Sequence, residues 1–157
     1  MPILTRRAVR ALTGALLAVL LAPALAAQRA GPLYVVGGGR QPEALVREFV
    51  QLAGGTRARI VVMAMASADG RASGEAKAAD LRALGADARA VWLTRDEAMT
   101  DVAARLLDSA TGIWFGGGDQ NRLMAVLRET PVAEAIRRRP RAGAVVGGTS
   151  AGAAVLS

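Results

Sequence analysis

Ala142-Gly143-Ala144-Val145-Val146-Gly147-Gly148-Thr149-Ser150-Ala151-Gly152-Ala153-Ala154-Val155-Leu156-Ser157 closes the chain, and within it Gly148, Ser150 and Gly152 spell G-x-S-x-G. The apolar entry over residues 142–146 predicts a buried strand, and the spelling predicts that this strand stops, turns sharply through one serine and restarts as a helix. A serine at such a junction is held in a strained backbone conformation that thrusts its hydroxyl outward. Small neighbours are then compulsory, because a side chain at Gly148 or Gly152 would collide where strand and helix pass. Ala151 follows the serine at the helix N-terminus, where unpaired N–H donors and the positive end of the dipole can hold a developing oxyanion. Ser150 is the candidate nucleophile and the Ala151 N–H a candidate oxyanion donor. The competing reading is a glycine-rich turn in which the serine is incidental.

Working outward, four more apolar runs alternate with amphipathic segments: residues 33–36, 60–66, 90–93 and 113–115 read as strands. Helices fit residues 42–52 with Ala44, Leu45, Phe49 and Leu52 on one side, 74–84 with Leu81 and Leu84 inward, 100–107 capped by Thr100, 120–127, and 131–139 opened by Pro131. Runs apolar on both faces and separated by helices predict an α/β fold: a parallel sheet with helices on both faces, in three layers. The loop over 67–74 reads as the most exposed segment.

Ligands of such sheets gather at the carboxyl ends of the strands, where this chain places three glycine-rich loops. Gly37-Gly38-Gly39 follows the first strand, but Pro42 stands where a dinucleotide-binding G-x-G-x-x-G needs its last glycine, and no acid closes the second strand. Tight chain reversal accounts for those glycines. Gly116-Gly117-Gly118-Asp119-Gln120 follows the fourth strand, where a second oxyanion donor would arise. Asp119 and Gln120 would stand at the rim as substrate contacts, and Asp119 is equally suited to cap the next helix.

Trp114-Phe115-Gly116-Gly117-Gly118-Asp119-Gln120-Asn121-Arg122-Leu123 together with Gly147-Gly148-Thr149-Ser150-Ala151-Gly152-Ala153 resembles the cyanophycinase branch of the S51 serine peptidases, relatives of aspartyl dipeptidase with a class I glutamine amidotransferase-like, flavodoxin-like fold. The likeness runs from Leu33 to Ser157. It implies a serine-type peptidase that needs no metal or organic cofactor and acts on aspartyl bonds, in cyanophycinases cleaving arginine-decorated poly-aspartate to β-Asp-Arg dipeptides. By position, Ser150 resembles the nucleophile, Ala151 and Gly118 (or Gly117) the oxyanion donors, and Gln120 a substrate contact. A peptide or cyanophycin-like substrate is the implied partner, and a homodimer is compatible with it. An S51 aspartyl dipeptidase and a non-catalytic amidotransferase-like binding domain are the alternatives.

Serine needs a base to take its proton, and the family uses a histidine downstream of it. This chain holds no histidine. The expectation is an N-terminal portion of a longer protein, truncated after the elbow, with little hydrolysis of its own and uncovered apolar sheet faces. Lys77, the sole lysine, is in principle a substitute base, but its place in a helix pattern far from the elbow favours a solvated surface charge.

The other end reads as a signal peptide over residues 1–26. Arg6, Arg7 and Arg10 precede a charge-free apolar stretch, and Ala24-Leu25-Ala26 makes a cleavage site, so the peptidase-like domain is 27–157 and the location secreted or periplasmic, without stable membrane insertion after cleavage. Thr5-Arg6-Arg7 faintly resembles a twin-arginine signal, leaving the export route open. The formal charge of +7 falls to +4 without those three arginines. One Tyr, two Trp and two Phe give no aromatic interleaving of the cations, which argues against a nucleic-acid surface. The run over 137–141 reads as the solvated end of a helix. With no cysteine, disulfides and thiol chemistry are excluded.

Overall fold

The computed structural model describes residues 30–157, so the signal-peptide reading of 1–26 lies outside the described residues. Five strands, β1 (Leu33–Val36), β2 (Arg59–Met63), β3 (Asp87–Val91), β4 (Gly112–Phe115) and β5 (Val145–Thr149), form one parallel sheet in the order β1-β5-β4-β2-β3. The helices are α1 (Glu43–Leu52), α2 (Gly70–Ala83), α3 (Arg95–Ala98), α4 (Asp101–Arg105), α5 (Gln120–Leu127), α6 (Pro131–Arg141) and α7 (Ala151–Ala154).

Alternation along the central strands divides the core into two layers. Ile60, Val62 and Trp114 pack with Val46, Phe49 and Val50 of α1 and Ala78 and Leu81 of α2. Val61, Met63, Ile113 and Phe115 pack on the other face with Leu123 and Leu127 of α5, Val132 and Ala135 of α6 and Ala151 of α7. The sheet is thus covered on both sides, as its continuous apolar runs require. Helix starts follow local chemistry: Thr94, Thr100, Asp119 and Thr130 each accept an N–H of the following first turn.

Several local expectations shift. The buried stripe of α1 is Val46, Phe49, Val50 and Ala53, whereas Ala44 and Leu52 are exposed, because Phe49 sets the helix rotation by packing against both Tyr34 and Trp114. The segment 67–74 is not an open loop. α2 begins inside it, and Gly70 and Gly74 are buried so tightly that a Cβ at Gly70 would lie 2.5 Å from the Ala64 carbonyl oxygen and one at Gly74 2.7 Å from the Ala64 methyl. β5 runs on to Thr149 through both glycines, and a Cβ at Gly147 would meet the Tyr34 carbonyl oxygen at 2.8 Å. The arginine run is only partly solvated: Arg139 donates from Nε and Nη2 to the Ala110 carbonyl at 3.0 and 2.6 Å, tying α6 to the start of β4. Leu33 and Val35 of the edge strand β1 are 57% and 58% exposed.

Candidate active site

Because every pairing is parallel, the ends of β1, β4 and β5 share one rim, and β5 stands between the other two. Ser150 follows β5 directly with φ 53° and ψ −119°, and α7 begins at the next residue. Among the described residues only Ser150 and Glu129 combine a side chain with positive φ. No rigid L-residue conformation of ordinary energy makes this turn; the packing around it holds it. The Ser150 N–H donates to the Val36 carbonyl at 3.3 Å, while the Ser150 carbonyl accepts from Ala153 and Ala154 at 3.0 and 2.9 Å. Pinned on both sides, the residue is exposed at the rim.

The glycines of the motif are explained by backbone contact. A Cβ at Gly148 would sit 2.5 Å from the Gly152 carbonyl oxygen, and one at Gly152 would sit 2.3 Å from that of Phe115. No real Cβ tolerates either distance, so α7 passes β4 and β5 only as bare backbone. Serine commonly caps a helix, yet Ser150 makes no side-chain cap bond to α7, which leaves its hydroxyl unspent.

Glycine loops flank the serine from both neighbouring strands. A Cβ at Gly117 would lie 3.4 Å from the Ser150 Cβ and 3.9 Å from its Oγ; one at Gly38 would lie 3.7 and 3.8 Å from the same atoms. The structure therefore brings Ser150, Ala151 and the 116–118 loop together, and adds the 37–39 loop, which the sequence alone had suggested only as a chain reversal. The repeated glycine was the available signal. Gly118 has φ 137°, and its Cβ position would fall 2.2 Å from the Ala66 carbonyl oxygen, so the loop is clamped to the end of β2. Asp119 N–H completes that clamp by donating to the same carbonyl at 2.9 Å. Asp119 caps α5 by accepting from the Asn121 N–H at 2.8 Å, and both Asp119 and Gln120 are exposed at the rim.

Lys77 is not a solvated charge. Its ammonium donates to Gln41 Oε1 at 3.0 Å and stands 5.4 Å from the centre of the Trp114 ring. Gln41 Nε2 donates in turn to Thr149 Oγ1 at 3.1 Å and to the Gly39 carbonyl, and the Thr149 hydroxyl donates to the Gly37 carbonyl at 2.8 Å. One hydrogen-bonded chain thus joins α2, the first glycine loop and the residue before Ser150. Burial pulls the Lys77 pKa below the ordinary lysine value, against a smaller opposing pull from Asp80. Lys77 and Gln41 lie far from the motif in sequence and carry no local pattern that marks them. No histidine exists to serve as base, and among the described residues no group of His, Cys, Asp and Glu is placed to hold a metal ion.

Residues 33–157 match the family model described as Peptidase family S51. The chain is 34% identical over 130 residues to a cyanophycinase of Geminocystis herdmanii, covering 79% of this chain and 48% of that protein. It is 38% identical over 135 residues to a cyanophycinase of Synechococcus elongatus, covering 80% of this chain and 41% of that one. The chain thus spans less than half the length of these curated relatives. Among solved structures, a peptidase from an acI-B1 actinobacterium superposes with a TM-score of 0.70 at 25% identity, over 83% of this chain and 58% of the other. A putative peptidase E from Listeria monocytogenes shares the fold, with a TM-score of 0.58 at 21% identity over 78% of this chain and 60% of the other.

Proposed function

The chain belongs to peptidase family S51, and on that premise we propose that it carries the nucleophile half of a serine-type peptidase acting on aspartyl peptide bonds. The observation that carries the proposal is the strained, exposed Ser150 between two glycine loops. Ser150 Oγ attacks the scissile carbonyl carbon as its proton passes to a base. The carbonyl oxygen becomes an oxyanion that accepts hydrogen bonds from the N–H groups of Ala151 and Gly118. Collapse expels the leaving amine, which takes up a proton, and water then releases the acyl group from Ser150. These backbone donors are preorganised: Ala151 by the turn into α7, Gly118 by the clamp on Ala66. Asp119 and Gln120 are proposed to contact substrate beyond the scissile bond.

The base is proposed to come from outside these 157 residues, since they contain no histidine and the relatives extend well beyond the matched length. By themselves these residues are expected to hydrolyse little. Cyanophycin, cleaved to β-Asp-Arg dipeptides, is the substrate suggested by the relatives' names; aspartyl dipeptides are the alternative within the family. A non-catalytic binding domain is the reading favoured by the absent histidine. The basic and apolar N-terminal sequence supports export, to be checked by N-terminal sequencing of protein recovered outside the cytoplasm.

A fluorophosphonate probe tests the nucleophile in the full-length protein. Labelling is expected for the natural serine and not for Ser150→Ala, and equal labelling of both removes the peptidase reading. Cyanophycin offered against Asp-X dipeptides then separates the two substrates.

A further inference from the structure

The glycines around Ser150 separate into classes once each is asked what a side chain would meet. Gly118, Gly148 and Gly152 are dictated by packing, because a Cβ at any of them would lie between 2.2 and 2.5 Å from a backbone carbonyl oxygen. Gly39 is dictated by its turn, with φ 91°. Gly38 belongs to neither class. Its φ is not positive, and a Cβ there would stand 3.7 Å from the Ser150 Cβ and 3.8 Å from its Oγ, ordinary van der Waals distances. Apart from its chain neighbours, Gly38 would bring a methyl within 4 Å of no residue but Ser150. The fold therefore accepts a side chain at 38, and what that side chain would cover is the candidate nucleophile.

The loop that carries Gly38 is held on both sides of it. The Val36 carbonyl accepts from the Ser150 N–H at 3.3 Å and the Gly37 carbonyl from the Thr149 hydroxyl at 2.8 Å. The Gly39 carbonyl accepts from Gln41 Nε2, which also donates to Thr149 Oγ1 at 3.1 Å. A side chain at 38 would thus be fixed in place relative to Ser150. Because β1 and β4 lie on opposite sides of β5, Gly38 and Gly117 stand on opposite flanks of the serine. The peptidase reading above assigns the oxyanion to the 116–118 flank, which leaves the β1 flank to another substituent of the attacked carbon. That carbon bonds to Oγ and its substituents lie one bond further out, so a methyl in contact with Oγ would fill space that one of them needs.

We propose that Gly38 is a specificity-determining residue: its missing side chain keeps open the β1 flank of Ser150, where the acyl chain of a peptide substrate lies against bare loop backbone. The identity of the guest rests on the peptidase reading, whereas the opening itself rests on geometry alone. Selection by size follows. As position 38 is enlarged, groups branched next to the reacting carbon are excluded first.

These 157 residues contain no cysteine, so Ser150→Cys places a single thiol among them, and its alkylation in the full-length protein, followed by peptide mass spectrometry, reads access to position 150 without requiring the peptidase reaction. Iodoacetamide is compared with the bulkier N-phenylmaleimide, because the ratio of their rates cancels any change in thiolate fraction. Adding Gly38→Ala or Gly38→Val is expected to leave Tm within about 2 °C, as exposed substitutions without a clash do. The maleimide-to-iodoacetamide ratio is expected to fall progressively, by roughly tenfold for valine, the order that overpacking a contact costs. An unchanged ratio in the folded variants overturns the proposal, and so does a Gly38→Ala that fails to fold, since position 38 would then not accept a side chain. On the natural Ser150, fluorophosphonates of increasing bulk at phosphorus are expected to show the same selection, with Gly38→Val slowing the bulkiest most; equal slowing at every size overturns the assignment to the acyl chain. A natural serine that never labels, beside an alkylation ratio that still falls, removes the peptidase reading and leaves the opening at Gly38 standing.

Discussion

Replacing Ser150 by glycine should make the protein more stable, and replacing it by alanine should not. At φ 53° and ψ −119° the residue occupies a region in which a Cβ is strained, at a cost of about 1–3 kcal/mol. Glycine populates positive φ freely and removes that strain, but it adds freedom to the unfolded chain worth about 0.5–1 kcal/mol. The hydroxyl is exposed and caps nothing, so its loss contributes little. The net expectation is a gain of about 1 kcal/mol for Ser150→Gly, or roughly 4 °C in Tm for a domain of this size. Ser150→Ala keeps the Cβ, keeps the strain and should melt within about 1 °C of the parent on the same scale. Thermal denaturation followed by circular dichroism on the three proteins decides the matter. If the glycine and alanine variants melt together, the turn is not strained, and the argument that packing forces this serine outward is wrong.

Gly152→Ala would place a Cβ 2.3 Å from the Phe115 carbonyl oxygen, against backbone that cannot step aside, and should cost about 3 kcal/mol. Gly37→Ala meets nothing within 4 Å and should change stability by less than about 0.5 kcal/mol, as surface substitutions do; denaturant titration of the pair checks the contrast. Thr130 is 2% exposed, accepts from the Ala133 N–H at 3.1 Å and donates to the Leu127 carbonyl at 2.7 Å, so Thr130→Val should lose about 2 kcal/mol in the same titration. Tyr34, the sole tyrosine, has its pKa pushed up to about 12, first by burial and then by the Glu48 carboxylate that accepts its hydrogen bond at 2.9 Å. Its folded value lies above its unfolded value, so its contribution to stability is complete below pH 10.0 and is lost as the pH rises toward 12. Ultraviolet titration should show a late phenol in the native protein and an earlier one in Glu48→Gln.

The elbow was legible because its constraints are local and steric. G-x-S-x-G leaves few conformations open, and the run from Ala142 and Gly143 into the motif marks a strand that ends there. The offset of the strand itself was not legible: β5 includes Gly147 and Gly148, residues of weak strand preference, because Tyr34 and Phe49 press on Gly147 from the neighbouring strand and helix. The same cause moved the stripe of α1 toward Val46 and Val50. Helical spacing limits which residues share a face, but Phe49, wedged between two aromatic rings, selected the face that turned inward.

By itself the sequence determined the class of fold, the serine, the glycine loop after β4 and the absence of any histidine, cysteine or second lysine, since these depend on residue type and short-range order. Tertiary structure alone decided that β5 lies between β1 and β4, and therefore that two glycine loops rather than one face Ser150. It also decided the fate of Lys77, whose neighbours Gln41, Trp114 and Thr149 lie tens of residues away along the chain. Strand order and long-range side-chain partners follow from how whole layers pack, and no window of sequence contains both members of such a pair.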